Sequence, residues 1–183
     1  MRVIAGKYRS RQLKSVDSKR TRPTTDKNKE NLFNIIGPYF EGGVCLDLFA
    51  GSGGLGIEAI SRGMDELYAV DHQYKAFMTV KENVSLLRIE KQCHLYKLDY
   101  KKALFKLKNE RIQFDLVLLD PPYGLKINKD IITFLASNNM LNDCCVIVVE
   151  DLVEEAIEVS KPFVLKKEHH YGITTLQILK YER

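Results

Sequence analysis

Val44-Cys-Leu-Asp-Leu-Phe-Ala-Gly-Ser-Gly-Gly-Leu-Gly56 runs an apolar stretch, interrupted only by Asp47, into a cluster of four glycines. Val44 to Phe49 reads as a strand buried on both faces, and the glycines after it let backbone approach a ligand closely before a helix opens near Gly54. Gly51-Ser52-Gly53-Gly54-Leu55-Gly56 also satisfies G-x-G-x-x-G, and Asp71 follows Gly51 by 20 residues, so a dinucleotide-binding loop is a second reading of the same segment. Asp47 separates the two. A carboxylate just before the glycine turn repels a pyrophosphate, whereas it attracts an ammonium group such as the one on the methionine part of S-adenosylmethionine.

Working outward, Glu66-Leu-Tyr-Ala-Val-Asp71 is a second strand-like run that ends on an acid. Asp71 is placed to accept hydrogen bonds from two ribose hydroxyls, each contributing roughly 1.5–3 kcal/mol to a charged acceptor; its structural alternative is a helix cap or strand-end charge. Asp99 closes a third run, Cys93 to Leu98, and from the same rim could meet an adenine amino group. It is equally well placed to cap a helix over Tyr100 to Lys108. Phe49 is expected to pack beneath the glycine loop.

About 65 residues beyond the glycines, Phe114-Asp-Leu-Val-Leu-Leu119 leads into Asp120-Pro121-Pro122-Tyr123. Two prolines fix the backbone direction and remove two amide donors. The Asp120 carboxylate and Pro121 carbonyl are then left to accept from a substrate NH2, orienting its lone pair and easing proton loss. Tyr123 offers a ring on which a base can stack, worth roughly 1–3 kcal/mol. A rigid turn with a packed tyrosine is the bland reading of this tetrapeptide. One strand-helix repeat beyond a donor loop, the reading favoured is methyl transfer from S-adenosylmethionine to an exocyclic nitrogen of a nucleobase.

Charge is distributed unevenly. Residues 1–22 hold eight Lys/Arg (Arg2, Lys7, Arg9, Arg11, Lys14, Lys19, Arg20, Arg22) and one acid, Asp17; that leaves 20 of the 28 basic and 23 of the 24 acidic residues for the rest of the 183-residue chain. A basic arm over 1–25 is expected to grip phosphates, with Val3, Ile4, Tyr8 and Leu13 giving it a small strand or hairpin. The remainder, 26–183, is read as the catalytic core of a single domain. Cys45, Cys93, Cys144 and Cys145 form no C-x-x-C pair and read as small buried hydrophobes of a reducing compartment, with no metal expected. With no apolar stretch of membrane length and no signal-peptide core, a cytoplasmic protein with no membrane partner is expected. His169 and His170 adjoin in a strand, so their side chains face opposite ways and cannot share a metal.

Helices are expected over 26–36, 54–63, 74–87, 100–108, 128–138 and 152–159, and strands over 44–49, 66–71, 93–98, 114–119, 145–150, 163–169 and 173–181. Tyr171-Gly172 is short enough to join the last two as a hairpin, which makes the final strand antiparallel to an otherwise parallel sheet.

These residues together resemble a known family. The donor loop, Asp71, Asp120-Pro-Pro-Tyr123 and the terminal hairpin are similar to class I S-adenosylmethionine-dependent methyltransferases: α/β, Rossmann-like, a seven-stranded mostly parallel sheet with an antiparallel C-terminal strand and helices on both faces. Arg2-Val-Ile-Ala-Gly6, Arg9-Ser-Arg11 with Leu13, and Arg22-Pro-Thr-Thr-Asp26 with Glu30, Leu32, Phe33 and Asn34 narrow the resemblance to the bacterial 16S ribosomal RNA guanine-N2 methyltransferases. Ser10 departs from the glycine expected between the two arginines. The resemblance implies S-adenosylmethionine as donor and S-adenosylhomocysteine as product, held by Asp47, Phe49, Gly51, Gly53, Asp71 and Asp99. It implies catalysis by Asp120, Pro121, Pro122 and Tyr123, and contact by Arg9, Arg11, Arg20, Arg22 and Tyr123 with 16S ribosomal RNA on an assembling small subunit, by a monomer. Arg22, Thr24 and Thr25 are candidates to line the donor pocket or the RNA entrance; alternatively, Thr25 and Asp26 merely cap a helix. Asp-Pro-Pro-Tyr is shared with enzymes that methylate the adenine amine of DNA, so the tetrapeptide does not choose the base.

Overall fold

Strands that are apolar on both faces must be covered on both faces, and the amphipathic segments between them supply the cover. The computed structural model describes residues 1–16 and 26–183. In chain order they form α1 (Asp26–Ile36), β1 (Val44–Asp47), α2 (Gly54–Ser61), β2 (Glu66–Val70), α3 (Tyr74–Leu87), β3 (Cys93–Tyr96), α4 (Tyr100–Asn109), β4 (Phe114–Leu119), α5 (Asn128–Ser137), β5 (Leu141–Leu152), β6 (Phe163–Tyr171) and β7 (Thr174–Tyr181). The strands make one sheet in the order β3-β2-β1-β4-β5-β7-β6. β1 to β5 are parallel, and β7 is antiparallel to both neighbours, as the short hairpin at Tyr171-Gly172 requires. Strand order changes direction between β1 and β4, which opens a crevice at their carboxyl ends.

Side-chain alternation divides the core. Cys45, Leu67, Ala69, Leu116 and Leu118 face α2 and α3, joined by Leu32 and Phe33 of α1. Leu46, Tyr68, Val70, Val117, Leu119, Ile147 and Val149 face α4 and α5. Among the described residues no helix is long and apolar enough to cross a membrane. All four cysteines are free; Cys45, Cys93 and Cys145 are buried and Cys144 is exposed.

The described part of the arm is docked. Val3 and Leu13 are buried in the α2/α3 side of the core, and the segment folds back on itself through Val3 N–H to Arg11 O (3.0 Å) and Leu13 N–H to Met1 O (2.9 Å). Its anchor is Glu58 of α2, fully buried, whose carboxylate accepts from Ile4 N (2.8 Å) and Ala5 N (3.0 Å) and pairs with Lys29 (3.3 Å) and Arg62 (2.7 Å). Asn83 of α3 adds a second fastening. Its side chain accepts from Lys14 N (2.8 Å) and donates to both Lys14 O and Ser52 O (2.9 Å each), linking arm, helix and glycine loop. Ser10 has φ +66°, a left-handed conformation that glycine adopts freely, which explains why a glycine is expected there.

One expected element is absent. Residues 152–159 form a short 3₁₀ turn at Val153–Glu155 followed by chain without regular structure, not a helix, and β5 extends to Leu152. Gln177 on β7 accepts from Ile157 N (2.8 Å) and donates to Ile157 O (3.1 Å), so the peptide groups a helix would use are held by the sheet instead.

Candidate active site

Four strand ends, those of β1, β2, β4 and β5, converge on the crevice. At β1, the glycine turn is held by Ala50 N–H to Val70 O (2.9 Å) and Gly53 N–H to Ala50 O (2.7 Å). Its glycines differ in purpose. Gly51 has φ +54°, and a Cβ built there meets nothing within 4 Å, so open space lies over this backbone. Gly53 has φ +81°, and a Cβ there would stand 2.5 Å from Val80 Cγ2, so its missing side chain lets α3 pack against the loop.

Asp47 is buried beneath the turn and accepts from Gly56 N (3.1 Å), inside the first turn of α2. Burial pushes its pKa up from 3.8 to about 7; the Gly56 N–H opposes this and the charge of Asp71 adds to it. Asp71, just past β2, receives Gly51 N on one carboxylate oxygen (2.9 Å) and Gln73 N on the other (2.8 Å), so it braces the glycine turn from the neighbouring strand. Asp99 accepts from Lys101 N (2.9 Å) and is the N-cap of α4, the structural alternative raised for it by the sequence. Phe49 is half-buried and lies against the Tyr100 ring, 5.7 Å between centroids.

Beyond β4, Pro121 is buried, Pro122 exposed, and Tyr123 half exposed. Asp120 sits deep in the rim, its pKa driven well upward by burial first and then by the charges of Glu150, Asp47 and Asp151. Glu150 follows Val149 as Asp120 follows Leu119, and those two residues are register partners, so the carboxylates occupy matching positions on adjacent strands. Tyr123 donates to Glu150 Oε1 (3.2 Å), and Gly124 N–H reaches Glu155 Oε2 (3.1 Å). Burial raises Glu150 while the Tyr123 hydroxyl opposes the shift; Tyr123 is itself raised by burial and by Glu150 and Asp120. Asp151 is buried and accepts from Asn128 Nδ2 (2.8 Å).

The structure thus brings Asp47, Asp71, Asp120 and Tyr123 to one rim, with Gly51 open beside them. Arg9 and Arg11 are exposed on the docked arm; Arg20, Arg22, Thr24 and Thr25 lie outside the described residues. Glu150 and Asp151 were not singled out from the sequence. The signal was present: Val146-Ile-Val-Val149 ends on acids just as β4 does. Among the described residues no group of three or more His, Cys, Asp or Glu is placed to hold a metal ion.

Several carboxylates are held above their usual range here, by burial first and for Asp47 and Asp120 also by neighbouring acids, so a cationic ligand beside them favours their ionised forms and is held in return. Open backbone at Gly51 and an acid at the end of each neighbouring strand fit a cofactor with a ribose and an ammonium. Strand order, donor loop and Asp-Pro-Pro-Tyr define the class: a class I, S-adenosylmethionine-dependent methyltransferase. More narrowly, the chain belongs to the family described as Conserved hypothetical protein 95, whose model matches residues 1–180. It is 44% identical over 98% of both chains to a Bacillus subtilis protein named "Putative rRNA methyltransferase YlbH". It is 32% identical to the Haemophilus influenzae protein named Ribosomal RNA small subunit methyltransferase D, over 97% of this chain and 92% of that one. Among solved structures it resembles "Putative methyltransferase yhhF from Escherichia coli", with TM-score 0.86, 28% identity, and coverage of 100% of this chain and 98% of that one.

Proposed function

We propose that the protein transfers a methyl group from S-adenosylmethionine to the exocyclic N2 amine of a guanine in small-subunit (16S) ribosomal RNA. The observation that carries this reading is the side-by-side placement of the glycine turn after β1 and Asp120-Pro-Pro-Tyr123 after β4, on paired parallel strands. The names of the Bacillus and Haemophilus relatives support ribosomal RNA as the substrate class.

S-adenosylmethionine, when bound, supplies an electrophilic methyl on a positively charged sulfur. In this reading Asp47 and Asp71 draw its ammonium and ribose to the loop, and Gly51 leaves room for it. Asp120 and the Pro121 carbonyl accept the two hydrogens of the target amine, which fixes the nitrogen lone pair toward the methyl and prepares Asp120 to take the proton the nitrogen must lose. Tyr123 stacks on the base, which must be unpaired or flipped to enter, at a cost of a few kcal/mol. Stacking and the grip of Arg9 and Arg11 on phosphates offset that cost. An assembling small subunit is the proposed substrate, met by a cytoplasmic monomer.

The test is transfer of labelled methyl to small-subunit particles, extracted ribosomal RNA and duplex DNA in parallel, with nucleoside analysis of the products. N2-methylguanine from the ribosomal substrates, lost in Asp120→Ala while donor binding persists, supports the assignment. Label in N6-methyladenine from DNA overturns the base and the substrate together.

A further inference from the structure

The acceptor pair at Asp120 and Pro121 serves any exocyclic amine, so the choice of base needs another group. What differs between bases is the atom next to the amine. Beside the guanine N2 amine stands N1–H, a donor; beside the adenine N6 amine and the cytosine N4 amine stands an unprotonated ring nitrogen, an acceptor. A second fixed acceptor adjacent to the first therefore selects guanine, and it faces the other bases lone pair to lone pair.

Glu150 meets that requirement. It lies one residue beyond the Leu119–Val149 register pair, level with Asp120 on the next strand, and Asp120 feels its charge more strongly than any other. Its carboxylate is tied by Oε1 to the Tyr123 hydroxyl at 3.2 Å, which places it at the tip of the ring on which the base stacks. The hydrogen bond occupies one oxygen and fixes the orientation of the other. We propose that Glu150 is the specificity-determining residue of this site, accepting from the guanine N1–H beside the amine held by Asp120. The inference rests on the methyltransferase reading above and adds the group that separates guanine from adenine.

The experiment uses the full chain and small-subunit RNA in which the methylated position, located by the labelling assay, carries guanine or 2-aminopurine by splint ligation. The RNA is presented free or as a reconstituted particle, whichever the wild type accepts. 2-Aminopurine keeps the N2 amine but has an acceptor at N1. The wild type should prefer guanine by roughly 10–100-fold in kcat/KM, the range for a hydrogen bond to a charged acceptor. Glu150→Gln, whose amide can donate to that nitrogen, should lower turnover of guanine by a similar factor and collapse or invert the preference. Tyr123→Phe, which removes the hydrogen bond that orients Glu150 but leaves the carboxylate acceptor in place, should lower the preference by less than Glu150→Gln does. No wild-type preference, or an unchanged preference in Glu150→Gln, overturns the proposal while leaving the methyltransferase reading intact. A Tyr123→Phe variant that loses the preference as Glu150→Gln does assigns Glu150 to holding the ring and overturns it as well. No methyl on guanine N2 from the wild type sinks the underlying reading, and this inference with it. Because 2-aminopurine also lacks O6, the change of preference in Glu150→Gln, and not the wild-type ratio alone, assigns the effect to Glu150, while an absent wild-type preference overturns the proposal even if neither variant folds.

Discussion

Replacing Asp47 with asparagine separates what the buried carboxylate does for binding from what it does to stability. The amide keeps the shape and an oxygen to accept from Gly56 N, which the carboxylate does at 3.1 Å. The ionisation is lost, together with acceptor capacity toward the Phe49 N–H. Burial raises the folded-state pKa from 3.8 to about 7, so between those pH values the folded chain holds a proton that the unfolded chain has released. Stability attributable to this group is complete below the unfolded pKa, falls as pH rises through that window, and is gone above the folded value. A shift of about three units corresponds to about 4 kcal/mol as an upper bound, at 1.36 kcal/mol per unit. Asp47→Asn lacks this term. Its advantage over wild type in urea unfolding should widen by about 2–3 kcal/mol between pH 5 and pH 8 and then level off. Far-ultraviolet circular dichroism is the natural signal, since the chain contains no tryptophan. Calorimetric titration of S-adenosylmethionine at pH 8 should show the stabilised variant binding roughly 10–100-fold more weakly, because the counter-charge to the ammonium is missing. A stability gap that does not change with pH would refute the account of Asp47 as a carboxylate kept at a cost for its ligand.

Three further perturbations test the parts around it. Glu58→Ala strands Lys29 and Arg62, both buried, and two arm amides; a loss of about 3–5 kcal/mol in denaturant midpoint analysis is expected, with the arm becoming open to protease, whereas a loss below about 1 kcal/mol contradicts the anchor. Gly51→Ala and Gly53→Ala both place a side chain at positive φ, costing about 1–2 kcal/mol, but only the second collides with Val80; thermal melts should rank Gly53→Ala clearly lower, and equal melts would mean α3 yields. Arg9→Ala with Arg11→Ala should leave the fold unchanged and reduce the slope of log affinity for ribosomal RNA against log salt by roughly 0.7–0.9 for each phosphate the arm no longer neutralises; an unaltered slope removes the arm from the RNA interface.

Strands β1 to β4 and the helices between them were readable because each apolar run is bounded by glycine, aspartate or proline, and α1 begins and ends where the sequence places it, at Asp26 and Ile36. Residues 152–159 misled for a physical reason: Glu154, Glu155, Ala156 and Glu158 are good helix formers, but a glutamine 20 residues away takes both peptide groups of Ile157. Local propensity carries no trace of such a partner. The same holds for Glu58, which in sequence is an ordinary helical glutamate and in space gathers two amides and two cations from three other segments or turns. Asp71 and Asp120 were visible since each closes a strand, and Glu150 closes the apolar run Val146 to Val149 in the same way, although β5 itself continues to Leu152. Asp99 could be given two roles from sequence, and the structure fills the capping one.

The two fastenings of the arm bear on the order in which the chain can take shape as it is made. Lys14 waits for Asn83, 69 residues downstream, and Ile4 for Glu58, 54 residues downstream. At about 5–20 residues per second, the basic segment is synthesised several seconds before the helices that receive it. During that interval it is an unanchored polycation emerging beside ribosomal RNA. What is translated first is secured late, and nascent chains stopped before Asn83 should be cleaved readily by trypsin after Lys7, Arg9, Arg11 and Lys14, while chains extended well past α3 should protect those bonds.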